Sequence, residues 1–359
     1  MTRRPDVTAS ATETVLRDGE QKSKSRALSD GARFALLVAA IVVLAATAFC
    51  SLFVGSRGLD PAVVMAALLH PDGSPEHVVI QNLRIPRTAL GVLVGAALGV
   101  GGALIQAFTR NPLADPGILG VNAGAGFAIV LGSAVFGVTS VALYLPFAFA
   151  GAIATTLVVY GIARRGGGGA TPLRLTLVGI ALAAVLNGIS STLALMDPDT
   201  FDRLRYWGAG TIADRPDGTI QAVAPFIVAG LVMALLLARS LNVFALGDEL
   251  AQSLGARVNT VRILTIVAVT LLCGAATAAA GPIAFIGLMV PHAVRWLTGP
   301  DQRWILPFSL VLAPVLLLIS DMLGRLVVYP GELQVGIVAA FLGAPVLIFL
   351  VRRTRGSAL

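Results

Sequence analysis

Residues able to do chemistry are few in this 359-residue chain, and their spacing argues against catalysis. The two cysteines, Cys50 and Cys273, lie inside apolar blocks with no CxxC spacing, so neither a disulfide scaffold nor a thiolate metal site is supported. Cys50 also fails as a lipoprotein signal. Phe49 precedes it where a small residue is required, and its apolar block is too long for a signal peptide. His70, His77 and His292 are far apart, and no metal site is expected from them. A phosphate-binding loop needs Gly-Lys before Ser or Thr, so that the lysine reaches the phosphates. The chain has no Gly-Lys pair, so ATP hydrolysis is not expected of it. The GVGG run Gly99–Gly102 sits inside an apolar stretch, not after a soluble strand, which removes a dinucleotide reading.

Charge within the apolar stretches is sparse. Asp321 and Arg325 stand four apart, so they either neutralise each other on one helix face or leave Arg325 turned outward to meet a partner. An ion-coupled carrier would bury carboxylates near the bilayer midplane. The apolar stretches are nearly free of them, which disfavours that class. Gln106 and the cluster Asn187, Ser190 and Ser191 either bond neighbouring helices or line a path. Gly91, Gly95 and Gly99 recur every four residues and make a smooth face, read first as helix packing. The stretch from Leu246 to Ala256 is different. Leu250 and Leu254 are four apart, Asp248 and Glu249 occupy the first turn and Gly255 the stop, which defines a short helix. It lacks the basic face that favours lipid headgroups, so protein docking is the preferred reading.

The elements that position these residues are membrane-spanning helices. The chain is 56% hydrophobic and 13% charged, against about half and about a quarter in soluble domains. That shortage of charge excludes a soluble enzyme, a disordered scaffold and a disulfide-rich secreted domain. The net charge of +7 raises nucleic acid as a partner, but the distribution of the basic residues points to membrane topology instead. Residues 1–32 read as a cytoplasmic solvated tail, 33–352 as a transmembrane domain and 353–359 as a second short tail. Ten spans are predicted: 34–54, 84–109, 117–137, 142–163, 173–195, 220–238, two separated by the Gly281-Pro282 break within 263–294, 304–328 and 334–351. Arg164-Arg165 and the glycines after them form a basic loop, and 196–217 is a turn-rich outer segment. With both ends inside, seven of the 26 Lys and Arg lie outside (Arg57, Arg84, Arg87, Arg203, Arg205, Arg215, Arg325), and the rest lie in the cytoplasm. The third and eighth spans are interrupted by Gly and Pro, a pattern expected of an inverted repeat around a substrate path.

Five stretches, in order, make the sequence resemble the permease subunits of iron-siderophore, haem and cobalamin ABC importers, the FecCD-type family, over roughly residues 35–355. They are Arg84-Ile-Pro-Arg87 leading to Gly95, Gly99 and Gln106; Asn111-Pro-Leu-Ala-Asp-Pro-Gly-Ile-Leu-Gly120; Gly247-Asp248 through Ala251 to Leu254-Gly255; Gly281-Pro-Ile-Ala-Phe-Ile-Gly287-Leu-Met-Val-Pro291-His292 with Arg295; and Asp321, Arg325, Glu332 and Gly336 before Gly343-Ala-Pro345. One stretch departs. In Arg205-Tyr-Trp207-Gly208-Ala209-Gly210, the last pair shifts the family's usual Trp, Gly and Ser pattern.

The resemblance implies an all-α type II ABC importer permease of ten transmembrane helices in the plasma (inner) membrane. Its partners would be lipid, a second permease subunit (the same chain or a paralogue), a cytoplasmic ABC ATPase dimer and an extracytoplasmic substrate-binding protein, with no nucleic acid. It would bind no cofactor, ATP and Mg being used by the ATPase. Gly247, Asp248, Glu249, Ala251, Leu254 and Gly255 would form the coupling helix, about 247–256. Asn111 and Leu113, and more weakly Thr171, would be cytoplasmic gate residues. Arg84, Arg87 and Arg325 would meet acidic residues of the binding protein. The fifth and tenth spans would line the path, with Asn187, Ser190 and Ser191 in its wall. A ferric siderophore is the expected cargo, with cobalamin or haem as alternatives.

Overall fold

The computed structural model describes residues 28–55, 58–138, 141–165, 171–328 and 330–355. Most of the expected N-terminal tail, the Gly-rich part of the basic loop and residues 356–359 lie outside them. The described residues are helical, with no strand among them. In chain order the helices are α1 (Asp30–Phe53), α2 (Pro61–Leu69), α3 (Pro75–Val79), α4 (Ile85–Thr109), α5 (Val121–Phe136), α6 (Val141–Arg164), α7 (Pro172–Met196), α8 (Pro198–Gly208), α9 (Thr219–Phe244), α10 (Asp248–Ser253), α11 (Val258–Ala280), α12 (Ile286–Thr298), α13 (Gln302–Val327) and α14 (Val335–Arg355).

Among the described residues, seven stretches are long and apolar enough to cross a membrane: α1, the continuous run Pro75–Thr109, and α6, α7, α9, α11 and α13. Val121–Phe136 and Val335–Phe349 are shorter apolar helices, and α12 has 13 residues. The shortness of α5 and α12 has a local cause. The chain reaches α5 through a tight 3₁₀ turn, Pro116–Leu119, and left-handed Gly120 (φ 74°); it reaches α12 through Gly281–Phe285, with Phe285 at φ 68°. Both breaks fall where Gly and Pro predict them.

The centre of the bundle is α4. Most of Pro75–Thr109 and of α11 is buried, whereas α1 and α7 are largely uncovered. The glycine face of α4 packs on α13: a Cβ on Gly95 would lie 2.5 Å from Pro314 Cα, and one on Gly99 2.4 Å from Ala313 Cβ. Small residues here let two backbones approach closely.

Several boundaries differ from the sequence reading, including α9, which runs on to Phe244, and α11, which starts at Val258. The connector before α4 is itself helical: Asp60 caps α2 by accepting from Ala62 N, and Pro61 and Pro75 occupy first-turn positions. The second span begins at Pro75, not Arg84, because a π turn over Ile80–Arg84 carries the helix into α4. Pro86 has no N–H to give, and the widened turn just before it keeps the helix continuous. The outer segment 196–217 contains α8, capped by Asp197, which accepts from Thr200 N and Oγ1.

Candidate functional site

Three groups of expected site residues fall at three levels of the bundle. At the end expected to face outward, the last carbonyls of α1 have no partners within their own helix. Arg84 Nη1 donates to Leu52 O at 2.7 Å and to Phe53 O at 3.1 Å; Arg325 Nη1 donates to Ser51 O at 2.9 Å and to Val54 O at 2.7 Å. Asp321 binds the cluster together. It accepts from Arg87 Nε and Nη2 at 2.7–3.1 Å and from Arg325 Nε at 2.9 Å, while Arg87 Nη1 reaches Glu332 at 2.7 Å. The i, i+4 pair of Asp321 and Arg325 is therefore present, but as part of a larger network.

This corrects the expected exposure of these arginines. Arg84 and Arg325 are 6% and 2% exposed, turned inward because uncapped carbonyls and a buried carboxylate attract them more than open water. Arg87 keeps its Glu332 side towards a cleft of about 760 Å³ that Arg84, Arg215, Arg325 and Glu332 also line. Arg215, on the loop before α9, donates from Nε and Nη2 to Thr211 O. Burial lowers its pKa to about 10, against the opposing pull of Asp214.

At the opposite end, α4 stops at Arg110, in the left-handed region at φ 51°. The next residue, Asn111, accepts from Leu113 N at 2.9 Å, closing a tight turn with Leu113 exposed. Asp115 caps the following 3₁₀ turn through Gly117 N at 2.7 Å. Thr171 caps α7, accepting from Arg174 N at 3.4 Å. The short helix is α10, six residues that start after Gly247 (φ 109°) and stop before Leu254 and Gly255 (φ 81°). It is narrower than 247–256 because both glycines adopt conformations a helix does not use. Ala251 is buried beneath it, Asp248 and Glu249 hold its first turn, and Leu246, Leu250 and Leu254 are exposed.

On α7, Asn187 and Ser191 share one exposed face, but Ser190 does not join them. It is buried, and its hydroxyl donates to Leu186 O at 2.7 Å within its own helix. The spacing 187–190–191 fits one helix side, but Ser190 falls at its edge, where the α7 backbone satisfies it.

The expectation that Gln106 bonds a neighbouring helix is met, but the sequence did not show its partners, nor the sharing of Asp248 by two arginines. Gln106 of α4 donates to Leu288 O of α12 at 2.9 Å and accepts from Arg295 Nη1 at 3.2 Å. Arg110 and Arg262 both pair with Asp248. The available signal was polar residues at helix ends beside the stretches expected to form the gate and the docking helix. Among the described residues, no group of three His, Cys, Asp or Glu side chains could hold a metal ion.

Comparison with known proteins gives consistent matches. The profile of the FecCD transport family matches residues 41–353. The chain is 52% identical over 320 residues to the ferric enterobactin transport system permease protein FepD of Escherichia coli, covering 89% of this chain and 95% of that protein. It is 40% identical to the Fe(3+)-citrate import system permease protein YfmD of Bacillus subtilis, covering 90% and 96%. Among solved structures, an inward-facing conformation of a metal-chelate type ABC transporter superposes with a TM-score of 0.78 at 25% identity, covering 89% of this chain and 99% of that one.

Proposed function

The chain belongs to the FecCD transport family, and from that premise we propose that it is the permease subunit of an ABC importer carrying a ferric siderophore. The observation that carries this reading is the 52% identity to the ferric enterobactin permease across 95% of that protein's length. A permease of this kind supplies the path, and ATP and Mg are used by a separate ATPase.

The proposed topology completes the seven long apolar helices with α5, α12 and α14 to make ten spans in the plasma membrane. Both termini are then cytoplasmic, which leaves only seven of 26 basic side chains outside. In support of an inverted repeat, α5 and α12 each begin directly after a positive-φ residue that follows a Gly/Pro break.

Transport would proceed by alternating access. Leu250 of α10 and the flanking Leu246 and Leu254, all exposed, dock on the ATPase, and its closure on ATP moves α10. The gate formed by Asn111 and Leu113, with Thr171 beside the next inner loop, then changes its exposure. Asn187 and Ser191 on α7 offer the chelate a weakly polar wall, and a second permease subunit supplies the facing one. At the outer mouth, Arg87 and Glu332 are presented to the substrate-binding protein. Arg84 and Arg325 hold the floor beneath them.

The test is uptake in cells lacking this chain, with and without a plasmid copy, under iron limitation. Labelled ferric siderophores, haem and cobalamin form the panel. Loss and rescue of a ferric siderophore alone supports the reading. Loss of cobalamin or haem uptake instead assigns the chain to that cargo, and unchanged uptake of all three overturns the iron assignment.

A further inference from the structure

One carboxylate joins the cytoplasmic end of α4, the short helix α10 and the second turn of α11. Asp248, the first residue of α10, accepts from Arg110 Nη2 at 2.6 Å on one oxygen and from Arg262 Nη2 on the other. Arg110 also donates from Nε and Nη2 to Phe244 O, at 3.1 and 2.7 Å. Its guanidinium therefore ties the last residue of α9 to the first of α10. Both guanidinium groups lie over the Phe244 ring, 4.6 and 5.8 Å from its centroid. That ring is buried and stacks on Phe108 of α4 at 6.1 Å. The two arginines thus share an apolar footing as well as a carboxylate.

Arg110 is also where α4 ends, in a left-handed conformation, directly before Asn111. Arg110 thus touches α10 on one side and adjoins the Asn111 turn on the other, although Asp248 lies 138 residues further along the chain. The planar fork of arginine suits the task, since it holds a carbonyl and a carboxylate in fixed directions, which an ammonium does not.

We propose that Arg110, Asp248 and Arg262 form the clamp through which motion of α10 is passed to the gate. Arg110 passes it to the end of α4 and to Asn111–Leu113, and Arg262 passes it to α11. This rests on the reading of α10 as the ATPase-coupling helix. Arg110 and Arg262 are positioning residues. A mere staple would change stability, whereas a clamp changes how much transport each ATP supports.

The test uses the full importer in proteoliposomes, in a Cys50→Ser background, with ferric siderophore as cargo. Gln252→Cys on α10 and Leu113→Cys on the gate are labelled separately with a maleimide, with and without ATP and vanadate. In the parent complex, nucleotide is expected to change the labelling rate at both positions. With Arg110→Gln, the change at 252 persists, the change at 113 is lost, and chelate carried per ATP falls about tenfold, the scale of an ordinary coupling between sites. Arg110→Lys recovers only part of that ratio. Nucleotide-dependent labelling at 113 and an unaltered ratio in Arg110→Gln overturn the clamp. No nucleotide response at 252 in the parent complex overturns the coupling reading itself, and the clamp with it. If Arg110→Gln complexes do not assemble, Arg262→Gln leaves the gate side intact and is judged by the same ratio: a fall supports the clamp, no change overturns it.

Discussion

Gly102 of α4 and Gly287 of α12 meet backbone to backbone: a Cβ on Gly102 would stand 1.7 Å from the Gly287 carbonyl oxygen. One turn further on, Gln106 bonds the same helix through Leu288 O and Arg295. Close approach and polar bonds together fix the seat of α12, and with it the direction of the Gly281–Phe285 break that precedes it.

Neither backbone can yield locally at that contact. Gly102→Ala is expected to cost about 1–3 kcal/mol through overpacking, read as a lower unfolding temperature of the purified protein. Gly161 on α6 has open space where a Cβ would stand. Gly161→Ala should therefore be neutral, or stabilising by up to about 1 kcal/mol. Equal unfolding temperatures for the two variants would mean that α4 and α12 do not touch here.

Asp321 is 1% exposed and serves two arginines. Asp321→Asn leaves the buried Arg325 guanidinium without its paired carboxylate, while Arg87 keeps Glu332, a loss of about 3–5 kcal/mol. Glu332 is partly exposed at the rim, and Glu332→Gln should cost no more than about 1 kcal/mol. Thermal unfolding in detergent separates them, and a milder effect at Asp321 than at Glu332 would contradict the network.

Asp301 caps α13 and accepts from Asn242 Nδ2 and from the Arg303 backbone and guanidinium. Burial pushes its carboxyl up, but these hydrogen bonds outweigh burial and hold it at about 2, below its ordinary 3.8. A carboxyl depressed by folding contributes stability that is present above the unfolded value and lost as pH falls through the folded one. The contribution is therefore whole above about pH 5 and lost progressively towards about pH 1. Asp301→Asn should flatten that part of the stability profile, measured by unfolding between pH 2 and pH 5. A profile of unchanged slope would remove Asp301 from the account.

Leu254 is 61% exposed, so Leu254→Asp should change stability by no more than about 0.5 kcal/mol. In the assembled importer it is expected to abolish chelate-stimulated ATP hydrolysis by depriving the partner of an apolar contact. Wild-type transport in that variant would refute docking through α10.

Much of this architecture is legible in the sequence, and the exceptions have physical causes. The breaks at Gly137 and at Gly281-Pro282 were readable because Gly and Pro act on the backbone locally. The glycine face of α4 was readable because its period of four repeats a helix turn. The continuation of α4 back to Pro75 was not, since Pro86 looks like a start and the π turn that accommodates it has no sequence mark. Helix α8 was hidden by its charge, which suits an outer surface. The inward turn of Arg84 and Arg325 was invisible for another reason: what attracts them is a row of backbone carbonyls on a helix more than thirty residues away for one and more than two hundred and seventy for the other. Arg110 and Arg262 were overlooked likewise, because a shared carboxylate is a property of three helices and of no single one.

The way α1 is capped also orders the making of the molecule. Arg84, just before α4, reaches the carbonyls of Leu52 and Phe53 from about thirty residues away, but the Arg325 partner of Ser51 is synthesised 274 residues later. The Ser51 and Val54 carbonyls of that corner therefore lack their arginine until α13 has been translated, whereas those of Leu52 and Phe53 can be met as soon as Arg84 is made. Completion of that corner is expected late in biogenesis, and a nascent chain truncated before α13 should leave α1 less firmly held than the finished protein does.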